Sequence, residues 1–191
     1  SGTLFLANPN VKPERLIAYE VGAIRRLGAS GSIEATYYVN RVSDLMYRTT
    51  DFDADPAGRI RRLTNVGLSR TIGFETAVRH QPLRWLQLRP SYSLANVEII
   101  ENPALPATIG KRQPFVPAHT LTFLAIASAG RWSGTWGGRY VSTIYSTDTN
   151  TDVVRGVPGS YNPFFETDVA VSFQVDRHLS IFCNADNLLD R

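Results

Sequence analysis

The stretch that decides the fold is Leu179-Ser-Ile-Phe-Cys-Asn-Ala185, followed by Asp186-Asn-Leu-Leu-Asp-Arg191. It has the composition of a strand that ends in a polar turn, and several similar runs come before it. Antiparallel strands that cross an outer membrane need only about 9–11 residues each, with short connections on the periplasmic side and long ones outside. This rhythm of runs and connections predicts a membrane β-barrel.

Eight runs rich in β-branched and aromatic residues, bounded by Gly, Pro, Asn or Asp, predict strands. They cover 15–26, 31–49, 60–80, 85–98, 115–128, 132–146, 161–174 and 178–185. Tight turns at 27–30, 81–84, 128–131 and 176–177 alternate with longer polar connections at 51–58, 98–114 and 147–160. In an up-and-down sheet every second connection lies at the same end, so the sequence predicts one end with short turns and one with long loops.

Side chains alternate along these runs. One face of the second predicted strand carries Ile33, Ala35, Tyr37 and Val39, and the other carries Glu34, Thr36, Tyr38 and Asn40. The same division recurs over 86–94 and 168–175. One face therefore suits lipid and the other suits water. A soluble β-sandwich, acting as a binding or adhesion module, would alternate in the same way. The strict alternation of short and long connections favours the barrel.

Composition excludes other classes of protein. The longest nearly apolar stretch, Leu121–Ala127, is far shorter than the about 20 residues of a membrane-spanning helix. A net charge of +3 gives no argument for nucleic-acid binding. Lys12 and Lys111 are the only lysines, so guanidinium groups supply nearly all the positive charge. This bias fits recognition of carboxylate or phosphate, and it also fits a coding preference for arginine. The lone Cys183 forms no internal disulfide and fits a small apolar strand position.

The motif Asn8-Pro-Asn-Val-Lys-Pro-Glu-Arg15, with Tyr19-Glu-Val-Gly22 after it, closely resembles the "NPNLKPE…YELG" start of a late barrel strand in TonB-dependent outer-membrane receptors. Further motifs resemble the family's landmarks in the family's order. They are Tyr37–Leu45 ("Y-x-N-x-x-x-D-L"), Asn65–Gly67 with Gly73–Glu75 ("N-x-G…G-x-E"), Ser91–Asn96 ("SYTYLDA"), Val116–Thr120 ("VPxHT"), Arg139–Ser142 ("RYVS") and Asp186–Asp190 ("NLFD"). Pro9 and Pro13 are expected to keep the approach to the first strand extended and unpaired.

The resemblance implies an all-β, antiparallel, up-and-down transmembrane β-barrel of the Gram-negative outer membrane. Receptors of this kind have about 22 strands around a plug, so residues 1–191 are expected to be a C-terminal portion of about eight strands. The plug, the first barrel strands and the last strand are expected to lie outside it. The implied function is active import of a scarce ligand, with a ferric siderophore expected and cobalamin or an oligosaccharide as alternatives. The implied partners are the TonB complex, through an absent N-terminal segment, and outer-membrane lipid and lipopolysaccharide.

Basic and aromatic residues at the long loops are the candidate ligand-binding residues. Arg59, Arg61 and Arg62 follow the first long loop, and Lys111 and Arg112 lie near the end of the longest. These charges would raise the local concentration of an anionic ferric chelate. Aromatic residues at loop bases could stack on a chelate or on arginine: Phe115, Tyr145 and Tyr161. Alternatively, the arginines pair with nearby Asp or with lipopolysaccharide phosphates, and the aromatics mark the membrane interface.

Neither a cofactor nor a catalytic site is expected. His80, His119 and His178 are far apart, and no phosphate loop, dinucleotide fingerprint or Gly-x-Ser-x-Gly elbow is present. An enzyme at the barrel rim would require His119 bonded to a serine and a carboxylate. Asp51, Asp53 and Asp55 alternate as in a calcium loop. However, Pro56 replaces the turn glycine and Arg62 the bidentate glutamate, which leaves at most a surface calcium site.

Overall fold

A computed structural model describes residue 2 and residues 4–50, 53–65, 67–151 and 161–189. Within these ranges the chain forms twelve strands and two short 3-10 helices, Gly28–Ser30 and Pro106–Thr108. The strands are β1 Leu4–Leu6, β2 Arg15–Arg26, β3 Gly31–Ser43, β4 Met46–Thr50, β5 Ile60–Asn65, β6 Leu68–Leu83, β7 Leu86–Leu88, β8 Ser91–Glu101, β9 His119–Ala129, β10 Trp132–Val141, β11 Phe164–Gln174 and β12 Ser180–Ala185. None of the described helices is long and apolar enough to cross a membrane.

Nine of the strands form one antiparallel sheet that follows the chain. Its order is β2, β3, β6, then β7 and β8 end to end in one position between β6 and β9, then β9, β10, β11 and β12. Neighbours in sequence are neighbours in space, as an up-and-down barrel wall requires. The remaining three strands form a small separate sheet, β1-β5-β4, in which β1 and β5 are parallel.

The register confirms the two predicted faces of the sheet. Tyr37 is paired with Val21 on β2 and with Phe74 on β6, while Thr36 is paired with Gly22 and Glu75. Directly paired residues project to the same side, so each face continues from strand to strand. We call the side that carries Tyr37 the apolar face. It extends through Leu94 and Leu121 to Trp136 and Val169. The opposite side, which carries Thr36, is the polar face.

Several predicted strands are interrupted. The runs 31–49 and 60–80 each break in two, because Asp44 and Gly67 have positive φ angles of 56° and 80°, which interrupt regular pairing. The outer parts, β4 and β5, form a separate hairpin above the main sheet. The run 85–98 breaks before β8 at Pro90, which has no N–H to donate.

Residues 7–14, which include Pro9 and Pro13, form no strand, as expected for the approach to β2, although Leu4–Leu6 ahead of them pairs in parallel with Ile60–Arg62. The sandwich alternative fails, since the nine strands form one sheet and no second layer covers its apolar face among the described residues. Large apolar side chains on that face remain exposed, including Tyr19, Val21 and Trp136.

A small core lies where the long loops fold against the sheet. Its buried apolar residues are Leu68, Ile99, Ala118 and Val141, all at or near the strand ends that carry the long connections. We call this end of the sheet the rim. Among the described residues, the rim therefore packs like the interior of a soluble protein.

Candidate functional site

The loop of residues 102–118, between β8 and β9, is folded back onto β8. The Ile99 N–H donates to Lys111 O at 3.0 Å, and the Gly110 N–H donates to Ile99 O at 2.9 Å. Inside the loop, the buried Asn102 Nδ2 donates to Thr108 Oγ1 at 3.0 Å. Buried polar side chains that are fully paired fix a loop as firmly as apolar packing does. Lys111 and Arg112 are thus presented at the rim by an ordered loop.

A second long loop, beginning at residue 142 after β10, is joined to the first. The Arg112 N–H donates to Asn150 Oδ1 at 2.7 Å, and Asn150 Nδ2 donates to Arg112 O at 3.0 Å. The Phe115 N–H donates to Tyr145 O at 2.8 Å. Ile144 and Tyr161 form a two-bond bridge of 3.1 and 3.0 Å.

The structure therefore brings five of the eight predicted site residues into one cluster. We call Lys111, Arg112, Phe115, Tyr145 and Tyr161 the rim cluster. The rings of Phe115 and Tyr161 are largely exposed, at 65% and 59%, and are free of a covering layer. Tyr145 is half-buried and contributes its carbonyl to the loop junction. The cluster offers a cationic and aromatic surface to a molecule that arrives from the rim side.

The three predicted arginines of the β4–β5 hairpin do not act together. Arg59 Nε lies 2.8 Å from Asp55 Oδ2, and the N–H groups of Ala57 and Arg59 donate to the same carboxylate at 3.1 and 3.2 Å. The Arg59 guanidinium and these N–H groups hold the pKa of Asp55 down, to about 2. Arg59 thus stabilises a tight turn near the tip of the hairpin through its ion pair with Asp55.

We expect the structure of this turn to be unchanged in mild acid. The folded-state pKa of Asp55 is lowered to about 2, so its contribution to stability is fully present above the unfolded value of about 3.9. It is lost only as pH falls through the folded-state pKa. A nitroxide label at Ala57 should give the same spectrum at pH 8 and pH 5 and become mobile only below about pH 4. Asp55→Asn should remove this acid transition, and a transition near pH 6 would contradict the assignment.

Arg61 and Arg62 are adjacent on β5 and point to opposite faces of the hairpin. Arg61 is paired with Phe5, whose ring lies 5.5 Å below the Arg48 guanidinium. Arg48 and Phe5 thus belong with Arg61, although the sequence analysis singled out neither. Only the parallel register between β1 and β5 unites them, and no motif predicts it.

The other face of the hairpin lies against the second long loop. Tyr47 is paired with Thr64, two residues beyond Arg62 on the same side of β5. Its hydroxyl is buried without a well-formed hydrogen bond among the described residues. Burial raises the pKa of Tyr47, and the neighbouring Asp148 carboxylate raises the pKa further.

A charged pair lies on the polar face near the rim ends of β10 and β11. Arg139 Nη2 lies 2.8 Å from Glu166 Oε2, and its guanidinium stands 5.5 Å over the Phe164 ring. The sequence predicted Arg139 as part of a family motif and not as a site residue. Its position on the polar face follows from β-alternation once the strand is known.

Nothing among the described residues resembles a catalytic or metal centre. His119 Nδ1 lies 2.9 Å from Tyr92 Oη, and Ser142 Oγ accepts only the His119 backbone N–H, at 3.0 Å. The arrangement of serine and carboxylate that a rim enzyme would need is not formed there. No three His, Cys, Asp or Glu side chains within the described ranges could hold a metal. Asp51, part of the calcium-like pattern, lies outside the described residues.

A single antiparallel sheet with an apolar face, a polar face and loops gathered at one end defines a section of a transmembrane β-barrel wall. A family model described as "TonB dependent receptor-like, beta-barrel" matches residues 1–188. The chain belongs to the TonB-dependent receptor β-barrel family. No curated protein matches the sequence significantly.

Solved structures show the same fold. The siderophore receptor PiuA from Acinetobacter baumannii is 16% identical with a TM-score of 0.75, and 92% of this chain covers 24% of PiuA. The ferric-catecholate import receptor Fiu from E. coli K12 is 18% identical with a TM-score of 0.74, and the match covers 96% of this chain and 24% of Fiu. The ferric yersiniabactin uptake receptor FyuA from Yersinia pestis is 17% identical with a TM-score of 0.73, and the match covers 93% of this chain and 25% of FyuA. The chain thus spans about a quarter of the length of these receptors.

Proposed function

We propose that residues 1–191 form a C-terminal part of the wall of an outer-membrane receptor that imports a ferric siderophore. The observation that carries this proposal is the family match over 1–188 together with the two-faced sheet. In a complete receptor the apolar face would contact hydrocarbon and the polar face would line the plugged interior. A plug elsewhere in the receptor would contact the TonB complex, and the role is transport without catalysis.

The rim cluster supports an anionic cargo. Lys111 and Arg112 are exposed beside Phe115, and the hairpin adds the Arg48, Phe5 and Arg61 group. Planar guanidinium groups bind carboxylate and catecholate oxygens in pairs, and exposed rings stack on flat chelate groups. A neutral oligosaccharide would gain little from these cations, and cobalamin would use the rings more than the charges. The structure therefore favours a ferric chelate over the two alternatives.

Removing two of these charges should weaken capture of an anionic chelate. In the full-length receptor, Arg61→Gln with Arg112→Gln deletes two guanidinium groups and leaves the backbone bonds of Arg112 to Asn150 in place. Each charge-assisted bond contributes about 1.5–3 kcal/mol, so we expect at least about a tenfold loss of affinity. Binding can be followed by tryptophan quenching with a ferric tris-catecholate, ferric citrate and cobalamin.

The matched control is Arg84→Gln, at a short turn away from the rim, which should leave every affinity unchanged. Selective loss of binding to the two ferric chelates would support the proposal. Equal binding by the double variant and the control would contradict the assignment of the site. Uptake of cobalamin alone by the wild type would contradict the assignment of the cargo.

A further inference from the structure

We propose that the polar face carries a second anion-binding site, at the end of the sheet opposite the rim, where an anionic ferric chelate is held before it leaves the receptor. Its ligands are Arg26, Arg79 and Arg89, which we call the short-turn site. The inference rests on the proposed function, because it requires the polar face to line the interior of an import receptor.

Two arginines of the short-turn site lie on the polar face at the ends of β2 and β6. Arg26 is paired with Ser32 on β3, and Ser32 is paired with Arg79 on β6. Directly paired residues project to the same side of a sheet. Four residues further along β3, Thr36 marks this side as the polar face. The two guanidinium groups are therefore presented from strands that flank β3.

Arg89 places a third guanidinium on the same side. It exchanges two backbone hydrogen bonds with Leu124, of 2.8 and 3.2 Å, and Leu124 lies on the polar side of β9. The Val78 N–H donates to Pro90 O at 2.9 Å. Since Val78 precedes Arg79 and Pro90 follows Arg89, this bond places the two arginines opposite each other on adjacent chain segments.

The charge of the short-turn site is not balanced by carboxylates. All three arginines are exposed, and none forms an ion pair among the described residues. Arg89 Nη2 donates only to the neutral Gln87 Oε1, at 3.3 Å. Glu34 is one diagonal step from Arg26 and from Arg79, so one negative charge faces three positive charges. Because like charges directly opposite in a sheet destabilise it, an anion between Arg79 and Arg89 would relieve their repulsion.

A polar cavity lies between these two arginines. Its volume is about 220 Å³, and its lining includes Arg79, Arg89, Gln81 and Gln87. The side-chain amides add neutral N–H donors to the guanidinium forks. Guanidinium groups bind the oxygens of carboxylates in pairs. The cavity thus suits a carboxylate or catecholate arm of a chelate.

The short-turn site is separate from the rim cluster. Between the two, the polar face carries the carboxylates of Glu20, Glu34 and Glu75. The short connections of outer-membrane barrels face the periplasm, so the short-turn site lies at the inner end of the proposed passage. Cationic groups there would attract an anionic chelate that has left the rim.

The test uses the full-length receptor purified in mild detergent, which leaves both ends of the barrel open to solvent. Phenylglyoxal modifies exposed guanidinium groups, and peptide mass spectrometry gives the reaction rate at each arginine. Saturating ferric citrate or ferric tris-catecholate should slow the modification of Arg79 and Arg89 at least about tenfold, by mass action. A neutral ferric trihydroxamate should not. Arg25, which projects from the apolar face, and Arg84 should react at unchanged rates.

Matched variants give the affinity of the site. They are made in a receptor that already carries Arg61→Gln and Arg112→Gln, so that the rim contributes little to binding. Arg79→Gln with Arg89→Gln should lower the affinity for ferric citrate, measured by equilibrium dialysis, at least about tenfold, the effect of one charge-assisted bond. The control, Arg25→Gln with Arg84→Gln, removes the same charge at the same end of the sheet and should have no effect.

Three results would overturn the inference: equal affinities of the two variants, equal protection by the neutral chelate, or arginines at 79 and 89 that do not react even without a chelate. The last result would show that another part of the receptor covers the site. Tryptophan quenching of the wild type separates these failures from a failure of the proposed function. Quenching by the anionic chelates with any of the three results contradicts the short-turn site alone, and a wild type that binds neither anionic chelate contradicts both.

Discussion

Replacing Gly67 with alanine is expected to destabilise the rim by about 3 kcal/mol, a large effect for a single residue. Gly67 has a φ angle of 80°, a conformation that costs an L-residue about 1–3 kcal/mol. In addition, a Cβ atom at this position would overlap the backbone carbonyl of Glu101 at the end of β8. That carbonyl belongs to a paired strand and cannot move without opening the sheet. Thermal unfolding of the full-length receptor, followed by its shift on unheated gels, measures the loss.

Gly130→Ala is the matched control for this substitution. Gly130 also has a positive φ angle, 60°, but a Cβ atom there would meet no atom within 4 Å. Its replacement should cost only the conformational term, about 1 kcal/mol. If the two variants unfolded at the same temperature, the close approach to Glu101 would have no energetic importance.

Replacing Asn65 with alanine is expected to release the β4–β5 hairpin from the approach to β2. Asn65 Oδ1 accepts the Lys12 N–H at 2.7 Å, and Asn65 Nδ2 donates to Lys12 O at 2.8 Å and to Asp44 O at 2.7 Å. Three bonds at about 1 kcal/mol each indicate a local loss of about 2–3 kcal/mol. Since the hairpin carries Arg48, Arg61 and Arg62, trypsin added to intact cells should cut it at least about tenfold faster.

The controls for Asn65 form a graded series. Asn65→Asp keeps the acceptor for the Lys12 N–H and loses both donated bonds, so it should fall between wild type and alanine. Asn8→Ala removes one bond to the hairpin, from Asn8 Nδ2 to Leu63 O at 3.0 Å, and one local bond, from the Asn10 N–H to Asn8 Oδ1 at 3.0 Å, and should have a smaller effect. Asn10→Ala should have almost none. Equal cleavage rates for the Asn65 and Asn10 variants would show that the clamp does not hold the hairpin.

The faces of the sheet were predictable because strand alternation is a local property. Ile33, Tyr37 and Val39 occupy one side whichever strands flank them, and the register confirms the division. The alternation of short and long connections was equally readable, since turn residues mark both kinds. Strand ends were less predictable where an isolated backbone angle decides, as at Asp44, whose φ is positive.

The candidate site was predictable only in part. Lys111 and Phe115 lie on one long loop, and Tyr145 and Tyr161 lie on the next long loop at the same end of the sheet. Their proximity could therefore be predicted, and hydrogen bonds join the two loops in the structure. Arg59 pairs with Asp55, four residues before it, as the alternative interpretation of the loop arginines expected. Arg48 was not predicted as a site residue. Its contact with the Phe5 ring depends on the pairing of β1 with β5, two segments more than fifty residues apart in the sequence. Whether these side chains bind the cargo stays a prediction.

In the outer-membrane placement proposed above, the β4–β5 hairpin would project outward, and the short parallel pairing of Leu4–Leu6 with Ile60–Arg62 would cover one of its edges. An outward-projecting hairpin exposes two rows of unsatisfied amide groups, which a neighbouring receptor could recruit into an intermolecular sheet. The segment ahead of β2 occupies one of these rows from within the same molecule. With only three residues, this pairing would prevent that edge of the hairpin from forming an intermolecular sheet with another copy of the receptor.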